Sequence, residues 1–447
     1  MAVSIKLVSN EIIIPYKTKL EPVSAVTELS AFHLESQARS YCRHFDTTFV
    51  SASGSYMTDA TGRHFIDFLG GASALNYGHN DPDMVQGLIN YLVAGGVAHS
   101  LDLHTWAKAR FIDAFNHLIL APRSLSYRLQ FTGPTGTNAV EAALKLARKV
   151  TGRTEIIAFT QGFHGMSLGA LAATGNRHHR MGSSIQLPGV MRAFYDGYFG
   201  AEIDTAAMLD KALSDPSSGF DAPAAILLET VQGEGGLNTA SAAWMKKIAD
   251  IAKRHGALLI IDDIQAGCGR TGSFFSFEPL GIDPDIVVLS KSLSGFGLPL
   301  SLVLIRPEHD QWLPGEHNGT FRGNNHAFVT ATVALEKFWA NNALMSDVQR
   351  RGTLIVDALE EMANYVPGSR IKGRGMMLGL DVGDGALAAK ISKRCFADGL
   401  IIETAGARGQ VVKILAPLTT PDAVLAEGLS IVNVAIAKEM SKLGAKS

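Results

Sequence analysis

The chain has 447 residues, 47% of them hydrophobic and 18% charged, the balance of a globular protein with room for two or three domains. A formal net charge of −2 removes any electrostatic case for nucleic acid or an anionic membrane surface. The three scattered cysteines, Cys42, Cys268 and Cys395, exclude a disulfide framework and a metal cluster, and no apolar run approaches the roughly 18 residues a membrane helix needs.

Residues 1–35 are weakly patterned and read as an arm, and with no basic-then-apolar leader the expected location is cytoplasmic. Alternation on either side of Asp59-Ala60-Thr61-Gly62 predicts a hairpin over 54–68, and His79 beyond it is read as structural. A short strand over 127–131 precedes the turn Thr132-Gly133-Pro134-Thr135-Gly136-Thr137-Asn138 and a helix over 139–150, with Val140, Ala143, Leu144 and Ala147 at helical spacing. A Gly-rich turn that opens a helix aims backbone N–H groups at an anion, so Gly136 and Thr137 are candidates for a phosphate. The turn is neither a P-loop nor a GxGxxG fingerprint, and turns of this kind also serve geometry alone.

The strand over 155–159 ends at Gln161-Gly162-Phe163-His164-Gly165, where the aromatic either caps the core or faces a ligand. Ala225–Leu228 is a buried strand that runs into Glu229 and Glu234, acids that are either solvated or lining a site. Lys253-Arg254-His255 ends the next helix, and the apolar strand over 258–261 runs into Asp262 and Asp263. A second apolar strand, Ile286–Leu289, delivers Lys291, and another covers 301–305. The turn 319–324 holds Thr320, and from about residue 330 the pattern changes. Helices are expected over 328–339 and 347–362, short strands over 377–382 and 411–415, and a last helix over 421–442.

In a parallel sheet covered on both faces, strands read as unbroken apolar runs and ligands sit at their carboxyl ends. Asp262 and Lys291 can therefore face one crevice. A lysine amine that captures an aldehyde, and a carboxylate that keeps a pyridine nitrogen protonated, are what pyridoxal phosphate (PLP) chemistry requires. Taken singly, the aspartate is a cap residue and the lysine a solvated charge; their pairing points to the chemistry.

With Asp283-Pro284-Asp285 before its second strand and Ser292-Leu293-Ser294-Gly295 after the lysine, the stretch 260–291 resembles the lysine region of class III (omega-type) aminotransferases. The resemblance extends over nearly all of the chain after about residue 35. It implies PLP fold type I: an α/β large domain with a mostly parallel seven-stranded sheet flanked by helices, plus a smaller α+β domain. The implied division is 1–75 for the arm and part of the small domain, 76–330 for the large PLP-binding domain and 331–447 for the C-terminal small domain. It further implies that Asp262 pairs with the pyridine nitrogen, Gln265 lies near the ring hydroxyl and Lys291 holds the aldehyde. Phe163 would stack on the ring with His164 beside it, and Gly136 and Thr137 would hold the phosphate. Thr320 would reach the phosphate of a neighbouring subunit, so a homodimer, or a dimer of dimers, would share active sites. No metal is implied.

The runs 133–143, 160–165 and 172–180 are similar to the 2,4-diaminobutyrate:2-oxoglutarate 4-aminotransferases, a branch that serves ectoine or siderophore pathways. Two positions depart from the ornithine and 4-aminobutyrate branches, which carry arginines where this chain has Met166 and Lys413. Arginine is a planar bidentate clamp and lysine a point charge, so the exchange is not neutral. Glu234 stands where an acid pairs with the second arginine, and Arg177 and Lys413 become the candidates for the carboxylates of 2-oxoglutarate. Other amines, such as ornithine or 4-aminobutyrate, remain open at this stage, as does a PLP aminomutase or racemase. Against a non-catalytic binding protein on the same scaffold stand the intact Asp262, Gln265, Lys291 and Thr320.

Overall fold

A computed structural model describes residue 32 and residues 34–444, so the expected arm at 1–35 lies almost wholly outside the described residues. The central sheet has seven strands in the spatial order Arg128–Phe131, Leu302–Ile305, Ile286–Leu289, Leu258–Asp262, Ala225–Leu228, Ile156–Phe159 and Val190–Ala193. Leu302–Ile305 runs antiparallel to both of its neighbours, and the remaining pairs are parallel. The mostly parallel α/β sheet expected from the sequence is therefore present.

Alternation divides these strands between two apolar layers. Ile156, Ala225, Leu227, Ile260, Ile286 and Val288 pack with the helix Gly136–Thr151, which buries Ala139, Val140, Ala143, Leu144 and Ala147. Ile157, Ile226, Leu228, Ile261, Val287 and Leu289 face the other way. There the helix Ala242–Arg254 supplies Trp244, Met245, Ile248 and Ile251. With both faces covered, every residue of Ala225–Leu228 and Ile286–Leu289 is buried, the physical reason for their unbroken apolar sequences. Each helix has a sequence-encoded end. Ser241 accepts the Trp244 N–H, and Gly152, at φ 68°, closes Gly136–Thr151.

Two smaller four-stranded sheets complete the fold. The hairpin Tyr56–Asp59 and His64–Asp67 carries an unanticipated strand, Phe49–Ser53, on one side and pairs in parallel with Leu400–Ile401 on the other. His79 is structural, its Nε2 lying 2.7 Å from Asp67 Oδ2. The other sheet runs Arg370–Arg374, Met377–Asp381, Val411–Ile414, Glu403–Ala405, all antiparallel, and it sets Glu403 directly opposite Lys413.

The helix expected to begin at 328 spans Asn325–Phe338, because the Asn324 side chain accepts the N–H groups of His326 and Ala327 and caps it earlier. Helices Pro82–Val93 and Trp106–Phe115 were not anticipated from the sequence; Asp81, followed by Pro82, and Thr105 cap them. Among the described residues no helix is long and apolar enough to cross a membrane, and no group of His, Cys, Asp or Glu is arranged to hold a metal ion.

Candidate functional site

The carboxyl ends of the parallel strands open on a cavity of about 260 Å3 lined by Thr137, Phe163, Glu234, Asp262, Gln265 and Lys291, among others. Lys291 reaches it through an unusual backbone. Its φ of 53° is left-handed, a conformation that a long side chain adopts at a cost and that clusters at functional sites. Burial pushes the Lys291 amine below its ordinary value, against the pull of Glu234.

Asp262 lines the cavity, and Asp263 beside it does not, as strand alternation dictates. Asp262 Oδ2 meets His164 Nδ1 at 2.8 Å, and Oδ1 accepts the Ile264 N–H at 3.2 Å. Asp263 turns inward to the Ser276 N–H at 3.0 Å, and burial pushes its carboxyl up to about 7. Only one acid of the pair is thus placed for chemistry.

At the other end of the cavity the helix Gly136–Thr151 begins. Thr135 makes no capping bond, its hydroxyl going instead to Asn138 Oδ1 at 2.7 Å. Among the described residues the N–H groups of Gly136 and Thr137 find no partner, which leaves a helix N-terminus aimed at an anion. Phe163 is held by Glu229, whose Oε1 accepts its N–H at 2.9 Å while Oε2 accepts the Gly233 N–H at 3.0 Å. Burial pushes Glu229 up to about 7. The sequence left Glu229 open between solvent and site; its place as a brace for the aromatic loop was not legible.

Gln265 Nε2 donates to Ala72 O and to Glu234 Oε1, both at 3.1 Å. A Cβ on Gly233 would collide with the Gln265 amide, so a side chain there would push Gln265 out of this position. Glu234 pairs with Lys413 Nζ at 2.9 Å, and on its other side Lys413 lies 2.8 Å from Glu403 Oε1, a contact no motif suggested. Lys413 is wholly buried behind Glu234. Burial works against its charge, but Glu234 and Glu403 together raise it above its ordinary value. Burial likewise opposes the ionisation of Glu234, and Lys413 and Lys291 outweigh it, drawing the carboxyl down to about 2.

Two candidates lie apart from the cavity. Arg177 is exposed on the short helix Arg177–Met181 and lines an outer vestibule of about 580 Å3 that shares Phe163 and Glu234 with the inner cavity. Thr320 is exposed and lines a separate hollow with Ser100, Pro134 and Pro299, so the chain does not bring it to its own Lys291.

An anion site, an aromatic face, a strand-end carboxylate and a desolvated amine converge on one cavity. That donor set fits PLP, and with the α/β sheet it defines a PLP-dependent enzyme. The chain belongs to the aminotransferase class-III family, whose family model matches residues 37–436. It is a transaminase with PLP as cofactor. It is 58% identical over 402 residues to the diaminobutyrate–2-oxoglutarate transaminase of Vibrio cholerae, covering 90% of this chain and 97% of that one. It is 52% identical over 412 residues to the Bordetella parapertussis protein of the same name, covering 92% and 95%. Among solved structures, the ornithine aminotransferase of Toxoplasma gondii superposes with a TM-score of 0.80 at 24% identity, over 94% of this chain and 96% of that one. A transaminase from the marine bacterium Virgibacillus gives 0.83 at 20%, over 93% and 99%. At these identities the likeness speaks for the fold.

Proposed function

We propose that this enzyme moves the terminal amine of L-2,4-diaminobutyrate to 2-oxoglutarate, giving L-aspartate 4-semialdehyde and L-glutamate, in a cytoplasmic biosynthetic pathway of the ectoine or siderophore type. The observation that carries the reading is the 58% identity, over nearly the full length of both chains, to a relative named for those two substrates. PLP, when bound, supplies the electron sink that makes the hydrogen on the amine-bearing carbon labile. Lys291 Nζ takes that proton and returns it, a task that its desolvated, lowered pKa favours. Asp262, braced by His164, offers negative charge to the cofactor's ring nitrogen. Phe163 would offer the ring a flat face, Gln265 would serve the ring hydroxyl, and Gly136 and Thr137 would offer N–H groups to the phosphate.

The exposed position of Thr320 supports a homodimer, or a dimer of dimers, in which it serves the neighbouring subunit's phosphate. Arg177, which lines the vestibule, and Lys413, behind Glu234, are assigned to the 2-oxoglutarate carboxylates in this reading. In this reading residues 76–330 form the large PLP-binding domain and 331–447 the C-terminal small domain, with 1–75 the arm and part of the small domain.

The test measures glutamate formation from 2-oxoglutarate with diaminobutyrate, ornithine and 4-aminobutyrate in turn. A preference for diaminobutyrate of about 100-fold in kcat/KM is expected, the order that a site built for a polar group achieves against an analogue lacking it. If ornithine or 4-aminobutyrate matches diaminobutyrate, the substrate assignment is lost and the transaminase class stands. Rearrangement of the donor with no glutamate formed would mean an aminomutase.

A further inference from the structure

The small sheet places a charge imbalance beside the cavity. Glu403 and Lys413 are directly opposed residues of antiparallel strands, so their side chains share one face. Lys413 Nζ lies 2.9 Å from Glu234 Oε1 and 2.8 Å from Glu403 Oε1, and the Lys413 side chain is 0% exposed and that of Glu403 7%. Two carboxylates thus share one ammonium. Among the described residues Glu403 Oε1 accepts no well-formed hydrogen bond, and burial holds its carboxyl above the ordinary value against the pull of Lys413. A buried carboxylate oxygen left in that condition is uncommon. The groups around the trio are neutral: the Gln265 amide donates to Glu234, and the Tyr41 phenol lies beside Glu403. The other cation facing both glutamates is Lys291, the amine committed to the cofactor.

A lone Glu–Lys pair is electrically closed and makes no demand on a ligand. A second carboxylate on the lysine reopens it. Glu234 is the member of the trio that lines both the inner cavity and the outer vestibule. The vestibule is also lined by Arg177 and Arg180, and Arg180 Nε is a buried donor with no partner among the described residues. A negative receptor and two guanidinium groups therefore border one space.

We propose that Glu403 is a positioning residue: it takes up the charge of Lys413 and so leaves Glu234 as the receptor for the ammonium group on the far carbon of a diamino acid donor. The carboxylate on that same carbon falls to Arg177 and Arg180. This rests on the reading that the donor carries a second amine. It makes the discrimination between a diamino acid and a plain ω-amino acid a property of net charge in the small sheet.

The experiment compares three donors that share a 4-amino end: 2,4-diaminobutyrate, 4-amino-2-hydroxybutyrate and 4-aminobutyrate. kcat/KM is measured for each on the PLP-loaded wild type, Glu403→Gln and Glu403→Asp. Wild type should favour diaminobutyrate over the hydroxy analogue by about tenfold or more, since only the former brings a cation. In Glu403→Gln the ratio of diaminobutyrate to 4-aminobutyrate should fall about tenfold, chiefly through KM. The KM for the dianion 2-oxoglutarate should drop in the same variant, a gain that mere structural damage does not produce. Glu403→Asp, which keeps the charge, should recover most of the ratio.

Equal losses on all donors in Glu403→Gln, with no gain for 2-oxoglutarate, would overturn the proposal. If that variant does not fold, the wild type decides: equal use of diaminobutyrate and its hydroxy analogue overturns it as well. A wild type that prefers ornithine overturns the substrate reading alone. The charge argument is then judged by the ratio of ornithine to 5-aminopentanoate in the same variants.

Discussion

Lys291, partly open to the cavity, and Lys413, wholly buried behind it, are the same side chain, and their basicities move in opposite directions. Burial governs Lys291 and lowers it; at Lys413 the same burial is outweighed by Glu234 and Glu403, and it rises. Lys291 sits on a left-handed residue at a strand end, where the backbone is strained and the amine is offered to a ligand. Lys413 sits mid-strand in a fully buried run, Val411–Ile414, with its ammonium clamped. Surroundings, not residue type, divide the nucleophile from the fixed charge.

The comparison is broken most severely by Lys291→Ala. Transamination should fall by about 10⁴-fold or more, the loss expected when the proton carrier itself is removed. Stability should not fall with it. A lysine whose folded pKa lies below its ordinary 10.5 costs stability at all pH values under that folded value, and the cost disappears as pH rises toward 10.5. For the PLP-free proteins a thermal midpoint at pH 7 equal to or above that of wild type, with activity in the presence of PLP gone, is the expected pair of results. Residual turnover near wild type would remove Lys291 from the chemistry.

Next comes Asp262→Asn, which leaves Lys291 in place and removes the charge opposite it. The rate should fall by about 10²–10⁴-fold with PLP still bound. An unchanged kcat would assign the role to another acid, although Asp263 faces the core.

Lys413→Met should reverse the pattern seen at Lys291, with a large effect on stability. Removing the shared cation leaves Glu234 and Glu403 facing each other uncompensated, a loss of about 3–5 kcal/mol by chemical denaturation. Adding Glu403→Gln should restore about 1–3 kcal/mol of it, because the two residues are in direct contact. Additive losses in the double variant would mean that the pair is not coupled. In the wild type the Lys413 contribution is complete below pH 10.5 and is lost only as pH climbs through its raised value.

The smallest effect concerns the acid beside the chemistry. The Asp263 carboxyl is raised from 3.8 to about 7, so folding takes up a proton there and its ionisation costs stability above that range. Its contribution to stability should grow as pH falls from about 7 toward 3.8, and Asp263→Asn should flatten that part of the denaturation profile without changing turnover. A profile identical to wild type would place the titration elsewhere.

Much of this was readable from the chain because it rests on local rules. Unbroken apolar runs announced the doubly covered strands, and an acid and a lysine at the ends of two of them announced the cavity. What escaped notice depends on pairing between distant segments. Glu403 reads as a lone acid in an apolar stretch, and only the register of its strand against Val411–Ile414 gives it a partner. Glu229 likewise acquires its role through two N–H groups on separate loops. Thr320 belongs to a hollow of its own, so a single chain carries no geometry that ties it to the cofactor. The helix start at Asn325 was missed through a cap, Asn324, that resembles an ordinary turn residue.

The Glu403–Lys413 cross-strand pair also bears on how the chain is assembled. The strand Glu403–Ala405 is three residues long at the edge of its sheet, too short for backbone pairing alone to fix its alignment. A slip by one residue would turn Glu403 to the opposite face and leave an ammonium without its counter-charge inside the protein. Misaligned chains are therefore penalised by the same contact that holds Lys413 in the finished molecule. Selection for a working catalyst and selection for faithful folding then act on one pair of side chains, which makes this edge strand a poor place to look for tolerated variation.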